Sequence, residues 1–458
     1  MFEIKELLDS RSGDAESLHL SHLNHQLVKV LRTLGFDRDY ISGKGAWLFD
    51  SEGNRYLDFL AGFGVYALGR SHPVIAKALH EAIDMELPSL VQMERSLLPG
   101  LLAEQLSLKT DGLEKVFFTN SGAESIETAI KFARFATKRK KVVAASHAFH
   151  GLTTGALALN GSDEFKKKFD PLIEGVSFVE FGEVDPLEKL ISQGDVAAFV
   201  VEPIQGKGVY VAKPQYWSAV SEICKKYGTL LVIDEVQTGL NRTGKFFAYN
   251  HYGISPDIVT VAKALSGGFM PIGAVLMRPE IHRKVFSSME RAMVHSSTFG
   301  SNLYSMVAGL ATLKVMEDES ISQHVLEMGR NLMERIRELS MTYDLIGEVR
   351  GEGFMIGIEL VEPTGFSLKA RWKIIEKARK GLFAQLIVGP LFTKHRVLTQ
   401  VAGDHVNIIK LLPPLISGEE EIDYFMQALE DVLREAYSGS GLIFDFGKNL
   451  IKATVKSR

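Results

Sequence analysis

Two residues of this chain stand where chemistry is done in sheet proteins, Asp234 and Lys263. Leu230-Leu231-Val232-Ile233 is an unbroken apolar run closed by two carboxylates, Asp234 and Glu235. A run this short and continuous reads as a strand buried on both faces of a parallel sheet. A second run, Asp257-Ile258-Val259-Thr260-Val261-Ala262, ends in Lys263, with Gly267 and Gly268 soon after. Ligands of open α/β sheets collect outside the carboxyl ends of the strands, so the acid and the lysine should face one crevice. Burial lowers the pKa of a lysine and frees its amine to form a Schiff base. A carboxylate beside it can keep a bound heteroaromatic nitrogen protonated. Singly, each residue has an ordinary explanation, Lys263 as a solvated strand end and Asp234 as a helix cap. Their combination and their flanking sequences do not.

Other candidates lie upstream. Ser121-Gly122-Ala123 follows a strand pattern and opens a helical one, and the free N–H groups and dipole of a helix start attract phosphate. Ser121 and Glu124 also match a capping box, which needs no ligand. Phe149 stands in Ala148-Phe149-His150-Gly151, just past a strand; a lone Phe is ordinarily core, while stacking on a flat ring would contribute about 0.5–1.5 kcal/mol beyond burial. His147 and His150 have a metal-like spacing, but no third ligand is near, and no metal is expected. His19, His22 and His25 turn around a helix with no acidic or cysteine ligand beside them. Glu202 closes the apolar run Ala197–Val201. Asp234 and Val236 share an orientation while the strand lasts, and Gln237 follows at the turn.

These residues need a sheet to hold them. Strands are predicted at Lys115–Thr119, Lys141–Ala145, Ser177–Val179, Ala197–Val201, Leu230–Ile233, Asp257–Ala262 and Gly273–Met277, alternating with helices. That order argues for a mostly parallel α/β sheet. Ahead of it, Glu16–Leu34 carries leucines at helical spacing and is predicted as one amphipathic helix. Ala46–Asp50 and Arg55–Leu60 flank Ser51-Glu52-Gly53-Asn54 as a β-hairpin, and a helix begins at Pro73. After a long helical stretch, Ser305–Leu339, come Ile346–Arg350, Phe354–Leu360 and a helix Leu368–Leu382, the pattern of a smaller α+β domain. The expected organisation is an N-terminal segment 1–72, which packs with the small domain, a large domain 73–325, a small domain 326–440, and a tail 441–458.

The 458 residues are too many for one ordinary core. A hydrophobic fraction of 46% and a charged fraction of 24% suit a soluble enzyme. The net charge of -4 gives no reason to expect nucleic acid. A single cysteine, Cys224, precludes an internal disulfide and fits a reducing compartment. The N-terminus lacks the apolar core of a secretory signal, and no apolar stretch approaches a membrane span. A cytoplasmic protein is expected.

The segments TNSGAESIETAIKFAR, FHG, EPIQG, LLVIDEVQTGLNRTG, AKALSGGFMPIGA and STFGSN, in this order from Gly62 to Pro414, resemble the class III aminotransferases of pyridoxal phosphate fold type I. The resemblance implies a seven-stranded sheet in the large domain and a homodimer with active sites shared between subunits. It implies that Lys263 carries pyridoxal phosphate as an imine and then acts as general base and acid. Asp234 would hold the ring nitrogen, Gln237 the phenolic oxygen, and Phe149 and Val236 the two ring faces. Ser121, Gly122 and Ala123 would hold the phosphate, joined by Thr298 of the partner subunit, with Glu202 near the substrate. Gly206-Lys207-Gly208-Val209 and Ser301-Asn302-Leu303 depart from the family's usual turns. Lys410 stands where the family usually has an arginine that clamps an α-carboxylate. A solvated lysine before a proline turn is an equal reading for it, and Arg396 or another arginine could replace the clamp.

The expected reaction moves an amino group between a terminal amine and a 2-oxo acid. The amine would be a diamine, an ω-amino compound or a long-chain amine, because wording such as FLAGFGVYALGRSHP is similar to that of the putrescine-type members. Alternatives are an ornithine, acetylornithine or 4-aminobutyrate type of aminotransferase, an aminomutase, a decarboxylase, or a non-catalytic binder of the cofactor. The intact set of Lys263, Asp234 and Gln237 speaks against the last.

Overall fold

A computed structural model describes residues 2–89, 95–403 and 406–438. The tail 441–458 lies outside the described residues. Seven strands form the large sheet in the order Lys115–Thr119, Gly273–Met277, Ile258–Val261, Leu230–Asp234, Val196–Val201, Lys141–Ala145 and Val176–Val179. Gly273–Met277 runs antiparallel to both of its neighbours, and the other recorded pairings are parallel.

The unbroken apolar runs are explained by cover on both faces. Val200, Val232, Ile258 and Val275 pack with Ile126, Ala129 and Phe132 of the helix Gly122–Thr137. Their chain neighbours Phe199, Leu231, Val259 and Ala274 turn the other way, into a core with Trp217, Val220 and Met306. Alternate residues of one strand therefore serve two cores. In the register, Asp234 stands opposite Thr260, just before Lys263 in the neighbouring strand's exit. The acid and the lysine thus leave adjacent parallel strands on the same side.

A second sheet is antiparallel, in the order Ile346–Glu352, Met355–Leu360, Ile408–Leu411 and Gln400–Val401. Its core includes Leu386 and Leu391 of the helix Leu382–Thr393 and Phe425 and Leu429 of Glu419–Ser438. The N-terminal hairpin, Trp47–Asp50 with Arg55–Asp58, shares that core through Trp47, Leu57 and Phe59. Tyr40–Lys44 pairs with its first strand and Val397–Leu398 runs parallel to its second. Arg242, fully buried, ties the two regions together. Its guanidinium donates to the carbonyls of Phe354 and Pro413, and its own carbonyl accepts from Phe354 N at 3.0 Å.

Three predicted helices differ. The stretch 16–34 is two helices, Ala15–His22 and His25–Leu34, because Asn24 adopts extended backbone and its side chain accepts from Gln26 N and Leu27 N. A helix N-cap inside the apolar period restarts the helix. The helical stretch 305–339 is Leu303–Asp318 and Ile321–Thr342, parted where Ser320 takes φ +50°. The helix expected to reach Leu382 ends at Ala378, and a new one starts at Leu382 after Gly381 with φ +81°.

Candidate active site

Asp234 is buried at its strand end, and each oxygen is engaged. Oδ2 lies 2.7 Å from His150 Nδ1, while Oδ1 accepts from Val236 N at 3.0 Å and Thr260 Oγ1 at 3.3 Å. Burial opposes a charge on His150, but the hydrogen bond and charge of Asp234, with Glu202 further off, raise it above the usual histidine value. The short contact fixes the Asp234 carboxylate at its strand end and favours the protonated form of His150. Sequence reasoning weighed His150 only as a metal ligand. Its signal was its place one residue after the ring-stacking candidate, and nothing local connects it to Asp234.

Lys263 opens a single 3-10 turn, Lys263–Ser266, directly after its strand. Burial pulls its amine below the usual lysine range; Asp234 and Glu202 oppose that shift, and Arg242 adds to it. Its backbone has φ +40°, a left-handed conformation that costs a side-chain-bearing residue about 1–3 kcal/mol.

Ser121 caps the helix Gly122–Thr137, accepting from Glu124 N at 3.2 Å. The reciprocal half of the expected capping box is displaced by one residue. Glu124 accepts from Asn120 N at 2.7 Å and Asn120 Nδ2 at 2.9 Å, so it closes on Asn120 instead of Ser121. First-turn N–H groups have no intrahelical partner, and those of Gly122 and Ala123 border the cavity. A Cβ on Gly122 would come within 2.7 Å of Val236 Cγ1. Glycine is what lets the helix start approach the residue expected to cover the ring.

Glu202 is buried and accepts from Phe149 N at 3.1 Å and Gly206 N at 2.8 Å. Burial pushes its carboxyl up, against the pull of His150 and these two N–H donors. Phe149 meets Phe165 edge to face at 5.6 Å. Lys207 sits over the Phe165 ring at 4.6 Å and pairs with Glu164. That pair was not foreseen; the departure from the family turn at 206–209 was its only sign.

Lys410 corrects the solvated alternative. It is only 2% exposed, on a central strand of the second sheet, and Nζ donates to Gly206 O at 2.6 Å and to Gln237 Oε1. Gln237 Nε2 in turn donates to Phe63 O at 2.9 Å. Burial first, then the like charge of Lys263, bring Lys410 down to about 7, with Glu202 opposing.

One cavity of about 920 Å³ gathers Ser121, Gly122, Ala123, Phe149, Glu202, Asp234, Val236, Gln237, Lys263 and Lys410. Two expected residues do not join them. Arg396 lines a separate cavity of about 470 Å³ with Asp50 and Tyr56, so it is no substitute for the clamp. Thr298 is exposed and borders neither cavity. The arginine that does line the larger cavity is Arg379, beside the break between two helices.

The donor set suits pyridoxal phosphate. A helix start for the phosphate, a buried carboxylate for the ring nitrogen, a buried lysine for the aldehyde and an aromatic and an aliphatic side chain for the ring border one space. The glycine cradle at Gly122 brings the first of these against Val236. No helix among the described residues is long and apolar enough to cross a membrane.

Comparison with known proteins agrees with this chemistry. The family model "Aminotransferase class-III" matches residues 34–433. The acetylornithine aminotransferase of Caldanaerobacter subterraneus is 37% identical over 405 residues, 86% of this chain and 94% of that one. Aminotransferase PigE of Serratia is 32% identical over 463 residues, covering 93% of this chain; the chain spans about half, 54%, of that relative's length. Among solved structures, an ornithine aminotransferase from Toxoplasma gondii, with pyridoxal phosphate at its active site, superposes with a TM-score of 0.80 at 26% identity, over 96% of this chain and 99% of that one. An (S)-enantioselective omega-transaminase from Thermomicrobium roseum gives 0.80 at 29% identity, over 95% and 99%. A mixed seven-stranded sheet, a lysine and an aspartate at adjacent strand ends, and relatives of one kind along most of its length place this chain among the class III aminotransferases, pyridoxal phosphate-dependent enzymes of fold type I.

Proposed function

We propose that this aminotransferase takes the amino group of a terminal, primary amine and passes it to a 2-oxo acid. Bound pyridoxal phosphate supplies an electron sink for the carbon that carries the nitrogen. Lys263 Nζ, whose pKa burial lowers, takes the proton from that carbon and returns it one position along. Asp234, braced by His150, holds the ring nitrogen protonated, and Gln237 donates to the phenolic oxygen. Ser121, Gly122 and Ala123 hold the phosphate with Thr298 of the partner subunit in a homodimer. Phe149 and Val236 close the ring faces and exclude water, and Glu202 borders the substrate.

The observation that carries the substrate reading is Lys410. It occupies the place of a carboxylate clamp, but two of its three donors are engaged by Gly206 O and Gln237 Oε1. A single amine already held by two protein acceptors is a poor substitute for a planar fork. This supports a donor without an α-carboxylate, such as a diamine or long-chain amine. A second reading, a donor of the acetylornithine or ornithine type, is supported by relatives at 35–37% identity over 83–92% of this chain, all of them acetylornithine aminotransferases. The relatives weigh toward this second reading, and an arginine, Arg379, is among the residues that line the cavity. Values of kcat/KM for a diamine, a long-chain amine, acetylornithine, ornithine and 4-aminobutyrate decide between them. An advantage of tenfold or more for ornithine or acetylornithine would overturn the reading from Lys410.

A further inference from the structure

We propose that Lys410 is a positioning residue that fixes which face of the Gln237 side-chain amide looks into the cavity. The amide is held from both ends by groups with one role each. Lys410 Nζ donates at both of its recorded contacts, to Gln237 Oε1 and to Gly206 O, and in its ammonium form it has only donors. The Phe63 carbonyl has only lone pairs, and it accepts from Gln237 Nε2 at 2.9 Å. A flipped amide would set N–H groups against the ammonium and oxygen against oxygen. The orientation is therefore imposed by neighbours from two separate segments. It leaves the second N–H of Nε2 as the group Gln237 can turn to a bound anionic oxygen.

The placement is built. Lys410 lies on a central strand of the second sheet, 2% exposed, with Thr399 Oγ1 donating to its carbonyl at 2.6 Å. Burying a lysine is expensive unless its protons are used, and here two of them are. Lys263 and Arg242 face it as like charges and Glu202 as the opposite one, so its charge is also felt directly in the cavity. The two effects must be separated experimentally.

The proposal rests on the reading that Gln237 donates to the phenolic oxygen of the cofactor, and its test distinguishes the two. The pH midpoint of the bound cofactor's visible band is measured in the holoenzyme for wild type, Lys410→Met, Gln237→Leu and the double variant. Each single variant is expected to move the midpoint by at least about half a pH unit. In the Gln237→Leu background, adding Lys410→Met should move it by less than half as much as in wild type, since residues acting through one another are not additive. Lys410→Arg, which keeps a donor for Oε1, should restore the wild-type midpoint. Should Lys410→Met fail to fold, Lys410→Leu, which likewise has no donor, takes its place under the same criterion. An equal shift from Lys410→Met in both backgrounds would mean the lysine acts only as a charge and would overturn the proposal. A wild-type midpoint in Gln237→Leu would remove both the reading of Gln237 and the proposal built on it.

Discussion

Asp234 and Lys263 reach the cavity from neighbouring strand ends of one sheet, whereas Lys410 and Arg379 come from the other sheet and from a helix end late in the chain. On the first side, each group is fixed by the few residues around it: the strand sets the direction and the next turn sets the depth. On the second side, a group is useful only because two bodies meet, as Arg242 makes them do. Chemistry common to a whole family belongs on the first side. On the proposed reading, choice among substrates belongs on the second, where Lys410 and Arg379 line the cavity.

The sharpest break of the first side is Lys263→Ala, which is expected to abolish multiple turnover and leave no borohydride-fixable link to the cofactor. Sustained turnover in that variant, measured as amine-dependent formation of product beyond one equivalent, would defeat the assignment. Asp234→Asn comes next. At ~4 Å and an effective dielectric of ~20, a carboxylate and a pyridinium attract by about 4 kcal/mol, so the rate should fall by roughly three orders of magnitude. Cofactor binding should survive, through the phosphate. Activity within a factor of two of wild type would mean that another group holds the ring nitrogen.

A third expectation concerns the residue beside Asp234. Glu235 turns away from the cavity into the fold, accepting from Thr238 Oγ1 and from Tyr249 N at 2.9 Å. Burial raises its carboxyl to about 7, from an ordinary 4.5. A carboxyl raised on folding contributes stability that is present below pH 4.5 and lost as pH rises toward 7. The two and a half units correspond to roughly 3 kcal/mol. Melting of Glu235→Gln against wild type should diverge across that window, with the variant the more stable above pH 7. Parallel curves at all pH values would refute the burial argument.

The smallest effect is expected on the second side. Arg379→Leu should raise KM for a carboxylate-bearing substrate, the 2-oxo acid included, by about tenfold, some 1.4 kcal/mol. Its cofactor affinity should stay at the wild-type level. A loss of cofactor affinity instead would show that the wall and the cofactor's seat are one unit, and would erase the distinction drawn between them.

The same distinction explains what could be read in advance. The seven strands, the hairpin, the strand-end places of Asp234 and Lys263 and the helix start at Ser121 are legible because each is written in contiguous residues whose period and end signals agree. The errors fall where a local signal is interrupted by a single cap or turn, as at Asn24, Ser320 and Gly381. His150 beside Asp234, Lys410 beside Gln237 and Lys207 beside Glu164 are long-range pairings. No periodicity records them. Lys410 is the telling case: the sequence marks its position but says nothing of its burial, which depends on the second sheet closing over Gly206 and Gln237.

The left-handed backbone at Lys263 sets selection for turnover against selection for durability at one residue. A glycine there would relax the chain, since it alone enters that conformation without cost. It would also remove the only side chain that can do the work assigned to the site. Once the need for catalysis lapses, drift at this position leads toward a sturdier protein, and a descendant kept only for its shape would lose its lysine early.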